Sequence, residues 1–213
     1  MSRPLLLGHR GARAIKSIPE NTLASFDRAL ADGCDGFEFD VRLTADGEAV
    51  VCHNPKTHGI EIASALARQI QTLPRLHEVL HRYRESFLDI ELKVAGLERI
   101  VLEALKRYQA QRFVVSSFLT AVLEVIHTAD STIPLGLICE TKAQLRRWSQ
   151  IPVQYVIPHN VLASRDLIGD LQASGRKVLV WTVNRPAEMR RFAEWGVNGI
   201  ISDNPEKLRA TLG

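Results

Sequence analysis

Eight short apolar runs, each followed by a stretch of helical periodicity, divide this chain from end to end, and that alternation limits its fold more than any other feature. Residues 4–8 read as the first strand, and Leu23, Phe26, Ala29 and Leu30 mark the helix face that follows, with Asn21-Thr22 as its capping region. The same pairing recurs at 36–41 with 73–84, 87–93 with 97–108, 113–116 with 121–127, and 134–138 with 143–148. It closes with 154–157 and 164–173, 178–181 and 188–195, and 199–201 and 206–212. One interruption breaks the rhythm: Thr44-Ala45-Asp46-Gly47 carries a DG turn into an extended run at 49–53, and 54–72 reads as a loop with at most one short helix.

Eight strand–helix units within 213 residues predict an α/β fold, a (β/α)8 TIM-like barrel with a short insertion after strand 2. The competing architecture, a doubly wound open sheet, needs a glycine-rich turn after its first strand. Gly8-His9-Arg10-Gly11 has no third glycine at dinucleotide-binding spacing. A chain that is 46% hydrophobic and 24% charged suits one domain over 1–213 with a sizeable core. Its charge of +3 is small and its basic residues are scattered, so nucleic acid is not an expected partner. Leu5-Leu6-Leu7 is too short an apolar start for a signal peptide, and no stretch is long enough to span a bilayer, so no stable membrane anchor is expected. Three widely spaced cysteines, Cys34, Cys52 and Cys139, argue for a reducing, cytoplasmic setting.

In a barrel the chemistry gathers at the C-terminal ends of the strands. His9 and Arg10 end strand 1, Glu38 and Asp40 end strand 2, His53 ends the excursion, and Glu91 and Lys93 end strand 3. In Gly36-Phe37-Glu38-Phe39-Asp40-Val41 a period of two puts both carboxylates on one face. Leaving both ionised in a half-buried place is costly unless a cation sits between them. Glu91 reaches the same place, and three carboxylates suit a divalent cation, Mg2+ or Ca2+, better than zinc. Arg10 and Lys93 add positive charge beside the acids, as a phosphate ester requires, and two histidines supply proton transfer at neutral pH.

Further motifs join these in a fixed order. Gly8-His9-Arg10-Gly11-Ala12, Pro19-Glu20-Asn21-Thr22, the Glu38–Asp40 strand, Val50-Val51-Cys52-His53, Ile90-Glu91-Leu92-Lys93, Trp181-Thr182-Val183-Asn184 and Ser202-Asp203-Asn204-Pro205 together resemble the glycerophosphodiester phosphodiesterase family nearly end to end. The resemblance implies a TIM-like barrel that hydrolyses small-molecule glycerophosphodiesters to glycerol 3-phosphate and an alcohol. It implies Glu38, Asp40 and Glu91 as metal ligands and His9 and His53 as the acid–base pair. By the same analogy Arg10 and Lys93 contact phosphate and Trp181 lines the glycerol end. The chain departs from the family where Asn54 follows His53 in place of the usual Asp, and its excursion is shorter, which bears on substrate choice more than on catalysis.

His77-Glu78-Val79-Leu80-His81 fits the HExxH zinc-protease pattern. Leu73, Leu76, Leu80 and Tyr83 define the apolar face of that helix, which leaves both histidines on a solvated flank. His58, His127 and His159 carry no role on the sequence. Two other functions use the same residues: a phosphodiesterase acting on lysophospholipids, and a non-catalytic barrel that binds phosphorylated ligands.

Overall fold

In the computed structural model, which describes residues 3–213, eight parallel strands close into a barrel. In chain order the elements are β1 (Leu5–His9), α1 (Leu23–Ala31), β2 (Gly36–Leu43), β3 (Ala49–Val51), β4 (Lys56–Thr57), β5 (Ile60–Glu61), α2 (Leu76–Arg82), β6 (Phe87–Leu92) and α3 (Glu98–Tyr108). Then follow β7 (Arg112–Ser117), α4 (Thr120–Ala129), β8 (Leu135–Cys139), α5 (Lys142–Leu145), β9 (Tyr155–Pro158), α6 (Arg165–Ala173), β10 (Lys177–Val180), α7 (Pro186–Glu194), β11 (Gly199–Ser202) and α8 (Pro205–Leu212). The barrel runs β1-β2-β6-β7-β8-β9-β10-β11 and returns to β1, where Leu5, Leu6, Leu7 and Gly8 face Gly199, Ile200, Ile201 and Ser202 in register. β3 lies outside the ring as the antiparallel partner of the upper part of β2.

Alternation along the strands divides the apolar residues between two cores. Outward-facing Phe37, Phe39, Val41, Leu88, Ile90 and Leu92 pack under the helices with Phe26, Leu76, Leu80 and Tyr83. Phe26 stacks on Phe37 at 4.1 Å between ring centroids, with Tyr83 edge-on at 5.0 Å to Phe37. Losing one such ring costs about 3–5 kcal/mol. Inside the barrel, Leu7, Phe87, Val114, Tyr155, Ile157, Leu179 and Ile201 fill the lower layers. Their place at the top is taken by polar side chains, and the site begins there. Gly36 must be glycine for β2 to sit in the ring, since a Cβ would lie 1.8 Å from the carbonyl oxygen of Phe87.

Three stretches differ from the sequence expectation. α2 starts at Leu76 and not at 73, because 73–75 is drawn out to reach β3: Val51 N donates to Pro74 O and Val50 bridges Arg75. Residues 54–72 hold a two-stranded ribbon, β4 with β5, and two 3-10 turns, Ile62–Ser64 and Ala67–Gln69. The helix expected at 143–148 is a single turn, α5, followed by a 3-10 turn at Trp148–Gln150; α5 buries no residue and so has no apolar face to extend it.

Candidate active site

Strand 1 ends in a turn that builds half the site. Arg10 and Gly11 both take left-handed conformations, with φ of 51° and 83°. Buried Ser25 fixes this turn: its Oγ donates to Arg10 O at 2.9 Å and accepts from Ala12 N at 2.8 Å. The turn aims Arg10 N at Glu38 Oε2, 3.0 Å away, and lays the guanidinium beside Asp40, with Nε 3.3 Å from Oδ2. On the neighbouring strands, Glu38 faces Asp89 and Asp40 faces Glu91 in register. All four carboxylates are buried inside the barrel.

The three acids expected to hold a metal converge. Glu38, Asp40 and Glu91 each present an oxygen within 4.8 Å of the others. Lys93 Nζ lies 2.5 Å from Glu91 Oε1 and 3.3 Å from Asp40 Oδ1, and Asn21 Nδ2 donates to Asp40 Oδ2 at 2.8 Å. Glu38 Oε1 and Asp40 Oδ1 are buried with no hydrogen-bond donor. An oxygen-only cluster in which Glu38 Oε1 has no partner and Asp40 Oδ1 has only the Lys93 charge at 3.3 Å fits a hard divalent cation.

The electrostatics carry the same sign. Burial, and then the charges of Asp40 and Glu91, push Glu38 well above the usual carboxylate range. Burial and the Asp40 charge push Glu91 to about 7, against the pull of Lys93. Asp40 also suffers from burial, but Lys93, Arg10 and the Asn21 amide outweigh this and hold it below its ordinary value. Beneath the cluster, burial raises Asp89 to about 7, although Ser116 Oγ is 2.5 Å from Oδ1. Without a bound cation, burial and mutual repulsion therefore favour the protonated forms of Glu38 and Glu91.

Both expected histidines face the same cavity, of about 250 Å3. His9 Nδ1 is 2.7 Å from Asp203 Oδ1, and its Nε2 is 3.8 Å from Glu38 Oε2. His53 Nδ1 is 2.9 Å from Asn54 Oδ1, and burial, outweighing the nearby Asp40 charge, holds this imidazole below its ordinary pKa. Arg10, Lys93 and Trp181 also line the cavity, so every site residue read from the sequence except Asp40 is on its wall, and Asp40 lies beneath it, paired with Arg10 and Lys93. Asp89, Phe118, Ile138, Glu140, Ile157 and Ile201 complete the lining. Phe118 and His159 meet the Trp181 ring edge-on at 5.8 and 5.1 Å, so His159 supports this wall and is not incidental.

A profile of the Glycerophosphoryl diester phosphodiesterase family matches residues 9–75 and 73–207. The chain belongs to that family. Membership makes it an enzyme, a phosphoric diester hydrolase. It is 29% identical to a glycerophosphodiester phosphodiesterase of Caldanaerobacter subterraneus, over 97% of this chain and 96% of the relative. A crystal structure of a putative glycerophosphoryl diester phosphodiesterase from Silicibacter pomeroyi superposes with a TM-score of 0.90 at 25% identity, covering 99% of this chain and 93% of that one. An Oleispira antarctica phosphodiesterase, solved in complex with the product sn-glycerol-3-phosphate, superposes with a TM-score of 0.83 at 27% identity, covering 98% of this chain and 96% of that one.

The sequence motifs contained roles that strand alternation did not expose. Asn21, read as part of a helix cap, has φ of 58° and turns its amide to Asp40, leaving Thr22 alone to cap α1. Glu20 ties Arg10 at 2.8 Å and Arg13 at 2.7 Å. Asp203 reaches His9 from the far end of the chain. Each lies in a motif that carried the family resemblance, which was the one signal for them. The HExxH histidines behave as expected: His77 and His81 are exposed on α2, beside Tyr108 on the barrel's outside.

Proposed function

We propose that this family member hydrolyses water-soluble glycerophosphodiesters to glycerol 3-phosphate and an alcohol, with Mg2+ or Ca2+ held by Glu38, Asp40 and Glu91. The observation that carries the reading is the meeting of those three buried acids under a cavity lined by two imidazoles and two basic side chains. The product bound by the Oleispira antarctica relative supports the substrate class. The three cysteines are unpaired, which suits a cytoplasmic setting, and among the described residues no helix is long and apolar enough to cross a membrane. We take residues 1–213 to act as one catalytic domain.

A bound divalent cation supplies charge neutralisation at the phosphoryl oxygens. Arg10 and Lys93 give those oxygens a cationic wall and orient the diester. Of His9 and His53, one accepts through Nε2 the proton of the attacking oxygen as it bonds to phosphorus, that oxygen being water's, or the substrate's own glycerol hydroxyl with water then opening the cyclic phosphate to glycerol 3-phosphate. The other donates a proton to the departing alkoxide as the ester bond breaks. Trp181, braced by Phe118 and His159, covers the glycerol end and excludes water from the apolar side.

The test is a screen of glycerophosphodiesters and lysophospholipids, with Mg2+ or Ca2+ and after chelation. The expected result is release of glycerol 3-phosphate from the water-soluble diesters, abolished by chelation and restored by the ion. Preference for lysophospholipids, or ligand binding without turnover, contradicts it.

A further inference from the structure

We infer that Asp203 is the positioning residue for His9: it fixes the imidazole with its proton on Nδ1 and so leaves Nε2 as the atom that exchanges protons in the site. The inference rests on the two-histidine reading above and assigns a residue that acts through one of them. Its origin is the seam where the barrel closes. Gly8 is in register with Ser202, so the next residue of each strand, His9 and Asp203, emerge as neighbours although 194 positions apart in sequence.

An ionised carboxylate only accepts hydrogen bonds, so at 2.7 Å Nδ1 must carry a proton whether the ring is neutral or charged. The carboxylate cannot turn away. Its Oδ2 accepts from Asn184 Nδ2 at 2.7 Å, and its Oδ1 accepts a second bond from Arg13 at 3.2 Å. Asn184 is fixed in turn, because its Oδ1 accepts from Asp203 N and from Ser202 Oγ, both at 3.0 Å. Asp203 O accepts from Ala14 N at 2.8 Å. His53 has a weaker arrangement of the same kind: the neutral amide of its exposed neighbour Asn54 orients it without supplying charge.

This packing makes one substitution diagnostic. In Asp203→Asn the amide NH2 must replace either Oδ1, where it opposes His9 Nδ1–H and Arg13, or Oδ2, where it opposes Asn184. In the first orientation the amide donor faces Nδ1 and favours the opposite tautomer; in the second the amide oxygen still accepts from Nδ1–H but a donor meets Asn184, so in neither does His9 keep a charged, fixed acceptor at Nδ1.

The experiment compares Asp203→Asn, His9→Ala and the double variant on one glycerophosphodiester with saturating metal, and records nitrogen-15 spectra of the His9 ring. We expect Asp203→Asn to lower kcat on the order of 10²-fold with little change in KM or metal affinity, and to cost nothing further in the His9→Ala background. The spectrum should show the Nδ1–H form in the wild type and a mixture in Asp203→Asn. Asn184→Ala, which frees the carboxylate without removing it, should give a smaller loss of the same kind and serves if Asp203→Asn folds poorly. Unchanged kcat in both variants, an equal loss with and without His9, or an unchanged tautomer overturns the inference. Full activity of His9→Ala overturns the two-histidine reading instead, and the spectra then decide the role of Asp203 alone.

Discussion

Strands β1, β2 and β6 bring His9, Arg10, Glu38, Asp89, Glu91 and Lys93 to the cavity, whereas β8 to β11 present Ile138, Ile157, Trp181 and Ile201 to it, with exposed Glu140 at the rim. The first group is held by ion pairs and left with unsatisfied oxygens; the second is held by packing against the apolar layers below. A polar cluster with orphaned acceptors costs stability and is kept for what it binds. The apolar wall costs nothing to keep and shapes what can enter. Substitutions in the two halves should therefore register on different observables: kcat and pH dependence on the charged side, KM on the apolar side.

The largest effect is expected at the histidines. His9→Ala and His53→Ala should each lower the rate on the order of 10²–10⁴-fold, and the variant that lacks the acid should recover most on a nitrophenyl ester, whose leaving group needs no proton. Since burial lowers His53, one limb of the kcat/KM profile should fall below the ordinary imidazole value and vanish in His53→Ala. Near-full activity of both variants on a poor leaving group would contradict the pairing.

A smaller effect should follow on the opposite wall. Trp181→Ala removes the ring on which Phe118 and His159 pack, and should raise KM roughly tenfold with kcat changed less, as for loss of a contact made equally in ground and transition states. An equal fall in kcat with KM unchanged would move Trp181 to the charged side of the comparison.

Stability should expose the charged half without any substrate. Glu38 and Glu91 have folded-state pKa values above those of the unfolded chain, so the metal-free protein should lose stability as pH rises from the usual carboxylate range to about 7. Glu38→Gln should relieve part of this, raising the melting temperature of the metal-free protein at pH 7 by roughly 3 °C for a gain of ~1 kcal/mol. A lower melting temperature in that variant would mean that the carboxylate is satisfied without an ion. The smallest effect is none: His77→Ala with His81→Ala should leave turnover and metal content unchanged, since both are exposed on the barrel's outer helix.

How much of this was legible in the sequence differed between the same two halves. Period-two alternation placed Glu38, Asp40, Glu91 and His9 on the inner face, because a barrel strand converts sequence parity directly into inside or outside, while His53 followed only from its place at the end of the excursion. The same parity puts Asp89, two residues before Glu91, on the inner face, but parity gives no depth and does not separate a buried acid below the cluster from a ligand within it. Asn21-Thr22 does cap α1 through Thr22, but the further bond from Asn21 to Asp40 has no sequence signal of its own, because a left-handed residue sends its side chain where no regular period points. The pairing of Asp203 with His9 depends on the register at which the last strand meets the first, which only closure of the ring determines. Helix limits failed where tertiary pairing overrode periodicity, as at 73–75, or where no apolar face existed, as in α5.

The central claim is that Glu38, Asp40 and Glu91 form a divalent-cation site, and calorimetric titration of the purified chain with Mg2+ and with Ca2+ tests it most directly. Run near pH 6 in buffers of different ionisation enthalpy, it should show one bound ion per chain with protons released on binding, since burial and mutual repulsion raise Glu38 and Glu91 in the metal-free cluster. Affinity should rise with pH and fall in both Glu38→Gln and Glu91→Gln. Absence of binding at millimolar ion, or an affinity unchanged in both variants, would contradict the account.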